Sequence, residues 1–556
     1  MPKNVMKLLK PSPHRARNDF DLSHRHIMGA NFGELIPATC LETVPGDHIE
    51  MHVSDLLRCV PMVTSPFLRA KQHLDVWFVP YHDLWHQFDN FITKKAQPVS
   101  SAMKDFAFLP WMYQYDLWDN ALSSAKNDAV GRQQALGARR ILNYLGYSST
   151  LVGDASAKNV KVNPFRIAAY NYIWYNEYRQ QYYDDGTNLM PNGSNPALLF
   201  NFDNLTCDTE ANAEVNANLY EAMTQMRYRT WKKDLFTGLL PSTQFGNVST
   251  VQTSLPKNFY IQNAVASSGS VSTDSSGSLQ SGNNAIWRLN ASSSSVSPSV
   301  DVLQLRRSEA VQIWRENALR AGNRVKDNMR AHYGVESDMR DHRPTYLGSV
   351  DAPLNIGDVM ATSNSTFSGN SNPNTNVGDV AGKGLSSLDQ KVFKFDAKDF
   401  GVIMVMFSML PEAEYNAGGI SRPNQLLDAE DFFTPEYENL GLEAVSSQTF
   451  RNVVVNDARV IGYAPRYWAY KTKLDKVYDK FQTGGINSMW CSPKYDVTVN
   501  LGQPGYTIPL SVLYVNPAIF DVNFNVSIAN VEQFLCDFYF DVDAVRPMSV
   551  VGLPFS

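Results

Sequence analysis

Near the end of the chain, Phe534, Cys536, Phe538, Phe540 and Val542 alternate with Asp537, Asp541 and Asp543. A strict period of two puts the apolar set on one face of a strand and the aspartates on the other. Because the period is two, a slip of one residue would bury all three aspartates, so the register is fixed. This segment therefore reads as a core strand and not as a tail.

A second strand of this kind lies far upstream. In Lys71–Phe88, His73, Asp75 and Trp77 alternate with Leu74, Val76 and Phe78. Pro80 stops the strand, having no N–H for a ladder. Beyond it Leu84, Trp85 and Phe88 recur at helical spacing, a short helix that packs back. Val402–Leu410 is apolar on both faces, apart from Ser408, and reads as a strand deep in a sandwich. Lys391–Lys398 alternates through Phe393 and Phe395. The fold class is mainly β, a sandwich with long excursions hung from its corners.

At 556 residues the chain is long for one core, yet no charged or proline-rich linker divides it. One sandwich with large insertions and a string of three or four domains both remain open. Aromatic residues make up 12% and charged residues only 19%, a balance that suits a subunit burying much of its outside. The five cysteines are odd in number, far apart and without CxxC, which implies neither a disulfide framework nor a zinc site. Residues 1–20 have no continuous apolar stretch of a secretory signal. The longest apolar run is about half the roughly 20 residues of a membrane helix, so no membrane insertion is expected.

Residues 1–20 form a basic arm, with Lys3, Lys7, Lys10, Arg15 and Arg17 and no acid before Asp19. It can touch phosphate, or be an ordinary solvated terminus. Residues 21–185 read as the first part of the sandwich with a helical insertion over about 115–185. There Ala135–Leu145 stops at Gly146, and Asn163-Pro164 opens an aromatic helix that runs to Asp184-Asp185-Gly186. With Tyr170, Tyr172, Trp174 and Tyr178 on all sides, that helix is packed between layers or subunits, or offers a stacking platform for bases.

Residues 186–300 change character. Between 241 and 300 there are 17 serines and three charged residues, too little apolar surface to offset the entropy of ordering. Two pieces within it, Lys257–Val265 and Ala285–Leu289, are strand-like. From 301 to 556 the sandwich resumes. A helix capped by Ser308 is predicted to about Arg330, with Val311, Trp314 and Ala318 on one stripe and a mixed-charge opposite face. Residues 349–390 read as a polar loop.

Catalytic patterns are missing. His82 and His86 stand four apart as in a zincin helix, but Asp83 replaces the glutamate and no third ligand follows. His24 and His26 read as hydrogen-bonded structural residues. There is no GxSxG, phosphate loop or dinucleotide fingerprint, and no carboxylate pair set for acid–base work. No enzyme activity, catalytic residue, metal or cofactor is expected.

Several motifs carry a family resemblance. FDLSHRH (Phe20–His26), GELIP, the Pro45-Gly46-Asp47 turn and FVPY followed by LW occur in that order. Downstream stand HYGVESDMRDHRPTYLG, FFTPEYENLGLEAV, YAPRYWAYKTKLDKVYDKF and RPMSVVGLP. In order and spacing the chain resembles the major capsid proteins of the small single-stranded DNA phages, the Microviridae, and the gokushovirus branch in particular. The resemblance implies an eight-stranded antiparallel jelly roll assembled as pentamers into a small icosahedral shell around circular single-stranded DNA. It places residues 186–300 at three-fold protrusions that meet a bacterial host receptor. It also implies an internal scaffolding protein, a DNA pilot protein and assembly in the host cytoplasm. A net charge of −6 cannot neutralise a packed genome, which points to a small basic DNA-binding partner. The alternatives are a secreted glycan-binding β-sandwich and a sandwich glycoside hydrolase. Three sequons, beginning at Asn192, Asn204 and Asn290, suit the first superficially.

Overall fold

The computed structural model describes residues 17–85, 88–92, 97–99, 102–104, 112–114, 137, 139–147, 160–184, 223–244, 260–263, 287–290, 302–321, 343–360, 378, 380–417, 419–450, 460–482, 484–492, 510–525 and 531–550. The chain divides into two compact units, one of Met1–Pro241 with Asp338–Ser556 and one of Ser242–Ser337.

The larger unit is mainly β. Its main strands are β1 (Asn18–Asp21), β2 (His24–Ala30), β3 (Glu34–Thr43), β4 (His48–Cys59), β5 (Ala70–Pro80), β6 (Arg227–Tyr228), β7 (Thr345–Pro353), β8 (Asn355–Met360), β9 (Val380–Asp396), β10 (Gly401–Pro411) and β11 (Phe534–Arg546). They form two antiparallel sheets. One runs β11-β4-β9-β8, with β1 and β2 both paired to the free side of β11; the other runs β6-β3-β10-β5-β7.

The alternation in β11 decides how the sheets face. Phe534, Cys536, Phe538, Phe540 and Val542 are buried, while Asp541 and Asp543 are exposed. Burying each such phenyl ring contributes roughly 1.5–3 kcal/mol. Phe538 meets Phe407 of β10 with ring centroids 5.2 Å apart, and Phe78 of β5 meets Phe395 of β9 at 4.9 Å. The two inner faces thus share one core.

β10 is buried on both faces because the second sheet is covered on its outside as well. The cover is α1 (Phe165–Ile173), extended by a π-helical turn over Trp174–Tyr178. Asn163 Oδ1 accepts from the Phe165 N–H at 2.8 Å, the capping role its position suggests. The helix ends at Tyr178, short of the expected stop at Asp184-Asp185-Gly186. Its wide last turn carries Tyr178 down onto β5, where the hydroxyl donates to Asp75 at 2.7 Å and accepts from Trp77 Nε1 at 3.0 Å. Trp77 is buried by this contact, so β5 loses its alternation beyond Val76.

Two expectations need correction. The described residues of the segment 349–390 are not a loop: they hold the end of β7, β8 and the first part of the 17-residue β9. Two of its glycines, Gly382 and Gly384, mark close approach, not turns. A Cβ on Gly382 would lie 2.1 Å from the carbonyl oxygen of Thr64, and one on Gly384 would lie 2.3 Å from Cys59 Sγ. Ser308 does not cap a helix either. In the smaller unit α2 spans Val302–Ala321, so Ser308 lies inside it. Among its described side chains only Leu319 is buried, and Trp314 of the expected stripe is 57% exposed. The predicted continuation to Arg330 lies outside the described residues. The same unit holds an antiparallel ribbon, Tyr260–Asn263 with Trp287–Asn290, where two strand-like pieces were expected.

Asp55 of β4 is a buried acid facing β5. Gln72 Nε2 of β5 donates to Asp55 Oδ1 of β4 at 3.2 Å. Asp55 Oδ2 and Gln72 Oε1 have no partner among the described residues. Protonating Asp55 supplies the O–H that Gln72 Oε1 can accept. Burial pushes the carboxyl up to about 6, against the opposing pull of Gln72 and the Leu388 N–H. The neighbouring thiols of Cys59 and Cys536 are pushed far higher by burial and stay neutral. A raised carboxyl pKa means the folded state holds its proton after the unfolded chain has released it. The stabilisation is therefore complete below about pH 4 and is lost as pH rises through about 6, a change of about 3 kcal/mol. Asp55→Asn keeps both hydrogen bonds without a titrating group. Thermal unfolding followed from pH 4 to 7 is expected to show a falling midpoint for the wild type and a flatter profile for the variant. Equal pH slopes in the two would show that Asp55 is not the titrating group.

Candidate assembly and attachment surfaces

Of the basic arm, Lys3, Lys7, Lys10 and Arg15 lie outside the described residues. Arg17 is described: it is exposed just ahead of β1, near the Pro45-Gly46-Asp47 turn, where its Nη2 would be 3.8 Å from a Cβ on Gly46. The same corner gathers two motifs that are distant in sequence. Arg546 of the RPMSV motif donates to the Glu42 carbonyl at 2.8 Å and pairs with the buried Asp47 carboxylate at 3.3 Å.

Position in the sequence groups residues 223–241 with the insertion, but they belong to the larger unit. Met226, Trp231, Phe236 and Leu239 are buried, and β6 extends the second sheet along β3. Arg227 of β6 is buried with its guanidinium on Asn171 Oδ1 at 3.0–3.1 Å and over the Trp174 ring at 4.8 Å. Burial pulls its pKa down to about 10. Tyr170 completes the seam, accepting from the Arg227 N–H and donating to the Leu35 carbonyl, both at 2.9 Å. Tyr170, Tyr172, Trp174 and Tyr178 are all buried, so these four rings are not open to stacking on bases.

A groove of about 680 Å³ opens where β2 and β3 part company. His24 and His26 line it, and both are hydrogen-bonded. His24 contacts the Leu22 carbonyl at 2.7 Å and Thr39 Oγ1 at 2.8 Å, and His26 contacts the Ala38 carbonyl at 2.7 Å. Arg166 is held by Glu42 at 2.5 Å. The Cys40 thiol, pushed up to about 12 by burial, is no nucleophile at neutral pH. His82 stands 3.3 Å from Asp83, and His86 lies outside the described residues.

The surface that composition hinted at without locating lies in residues 411–492. Leu427 is 87% exposed, Ile486 76%, Tyr478 65%, Leu440 63%, Tyr470 60% and Phe432 53%. So many large apolar side chains exposed within one stretch point to contact with other molecules. They sit on well-held loops. Arg422 bridges Asp431 at 2.9 Å and Glu443 at 2.7 Å, and the Tyr467 N–H donates to the other Glu443 oxygen at 3.0 Å. Only the pairing of two phenylalanines with acids in Phe432–Glu438 signals such a surface in the sequence, since periodicity says nothing about irregular loops.

Comparison with known proteins agrees with this picture of a wall with contact surfaces. Residues 10–555 match the family described as capsid protein (F protein). Capsid protein VP1 of Chlamydia phage 1 is 22% identical over 98% of this chain and 96% of its own length. Capsid protein VP1 of Bdellovibrio phage phiMH2K is likewise 22% identical, with the same coverage of both chains. The chain belongs to the phage capsid protein (F protein) family and is a major capsid protein of the gokushovirus-like Microviridae.

Proposed function

We propose that the larger unit is a jelly roll of eight strands, β2, β3, β4, β5, β7, β9, β10 and β11. The support is nested pairing: β2 with β11, β3 with β10, β4 with β9, and β5 with β7. This is the pattern of one long hairpin rolled upon itself into two sheets. Copies of it assemble as pentamers into a small icosahedral shell around circular single-stranded DNA, in the host cytoplasm, with an internal scaffolding protein. The pilot protein and a small basic DNA-binding protein complete the particle, the latter because a subunit of net charge −6 does not neutralise a genome. Lys3, Lys7, Lys10, Arg15 and Arg17 supply what phosphate contact the shell itself makes.

The observation that carries the assembly reading is the exposed apolar surface of residues 411–492. A free monomer gains nothing from presenting six large apolar side chains to water, whereas a subunit buries them against its neighbours. Closed symmetry then repeats one contact until no free edge is left. Weak single contacts suffice, because many act together. Electron microscopy of the protein expressed with its scaffolding protein is expected to show closed particles. Soluble monomers alone, on a sizing column and in micrographs, would contradict the reading.

The smaller unit, with the serine-rich stretch, mediates attachment to the host surface. Many copies on one shell turn a modest receptor affinity into firm binding. Asn263 and Trp287 are paired at the end of the ribbon, so a two-residue Asn-Gly turn can replace 264–286 without changing its register. Particles carrying that replacement are expected to assemble normally and to lose adsorption to host cells. Loss of assembly would move the segment from attachment to shell contact.

A further inference from the structure

The apolar surface of residues 411–492 is divided electrostatically. From Asp428 to Glu438 there are five acids and no base, around the exposed Phe432. From Arg466 to Lys480 there are five bases and two acids, around the exposed Tyr470 and Tyr478. One of those two acids, Asp475, is already held by Arg69 at 2.5 Å. The halves lie side by side: Glu438 and Lys471 meet at 3.7 Å, and the Phe433 and Tyr467 rings pack at 5.3 Å. Glu430, Glu436, Lys473 and Lys480 are exposed and have no ion-pair partner among the described residues.

We propose that this surface is an isologous two-fold contact between copies of the chain, in which the acidic half of one copy covers the basic half of the other. The assignment rests on the shell reading above and says which surface closes it. A surface with acid and base side by side is complementary to itself after a half-turn. One rotation about the line where Phe433 packs on Tyr467 sets both halves against their opposites. A nucleic acid would meet the five acids and be repelled, and a purely acidic partner would leave half of the surface unmatched. The loops are already fixed by the Arg422, Asp431 and Glu443 bridges, so docking orders little that is not already ordered.

Charge reversal on the full-length chain tests this. With the paired Asp431, Glu438, Lys471 and Asp475 left out, Glu430→Lys with Glu436→Lys turns the acidic half from −3 to +1, so that both halves are basic, and Lys473→Glu with Lys480→Glu turns the basic half from +3 to −1, so that both are acidic. Each pair alone is expected to reduce the fraction of chain in closed particles by roughly tenfold or more. All four changes in one chain exchange the halves and are expected to restore assembly to near the wild-type level. These side chains are exposed, so thermal unfolding of every variant is expected to match the wild type, which separates lost contact from lost folding. Reversed pairs that assemble like the wild type overturn the assignment. So does a folded fourfold variant that fails as the pairs do. Reversed pairs that still self-associate but no longer capture scaffolding protein would give the surface to that partner instead. Wild-type chain that never forms particles would overturn the shell reading and this assignment with it, whereas wild-type particles with unaffected variants overturn only the assignment.

Discussion

A one-residue slip in β11 would turn Asp537, Asp541 and Asp543 into the core, and much of the molecule depends on that slip being forbidden. β11 lies between β2 and β4, so its register sets theirs: His24 lies opposite Phe540, and Met51 opposite Val542. Once those pairs are fixed, Phe538 must meet Phe407 across the core, and β10 is placed between β3 and β5. The exposed Arg25–Asp537 pair adds little to this, being an ion pair in water. The hydrophobic face of β11 holds the chain's two ends together.

This arrangement separates two duties that a shell subunit has to combine. The wall is made of strands whose partners are distant in sequence, so it is ordered as a whole. The exposed apolar side chains of residues 411–492 sit on the excursions between strands, where side-chain type can vary without disturbing the core. Residues 411–492 illustrate the division. Val445, Tyr467 and Trp468 are buried and anchor the loops, and Leu427, Tyr478 and Ile486, 10 to 18 residues from them in sequence, face outward. The groove beside β2 shows the opposite case, since its histidines and arginines are satisfied by their own chain and hold the corner closed.

Strands with a clean period were legible from the sequence alone. β5, β10 and β11 could be read from alternation or from an unbroken apolar run, because burial dictates side-chain type at every second or every position. The capping of α1 by Asn163 was legible too. β8 and the first half of β9 were not, since an edge strand exposed to water keeps polar residues, and Gly382 and Gly384 imitate a loop where they admit a neighbouring backbone and a thiol. The stop of α1 was missed because Tyr178 is drawn to Asp75 and Trp77, residues about a hundred positions away. The exposed apolar side chains of residues 411–492 are not legible for a related reason: exposure in an irregular loop leaves no period. Arg227 was hidden by its position after a long polar stretch, although burying a guanidinium needs the partners that Asn171 and Trp174 provide.

The central claim is that the last strand closes the subunit, so that the wall is complete before any shell forms. Hydrogen exchange on the free, unassembled chain tests this most directly. The account predicts that backbone amides of β11 exchange as slowly as those of β4 and β10, and are released with them in a single cooperative opening. Fast exchange along β11, with β4 and β10 still protected, would contradict it and would make the final strand a product of assembly.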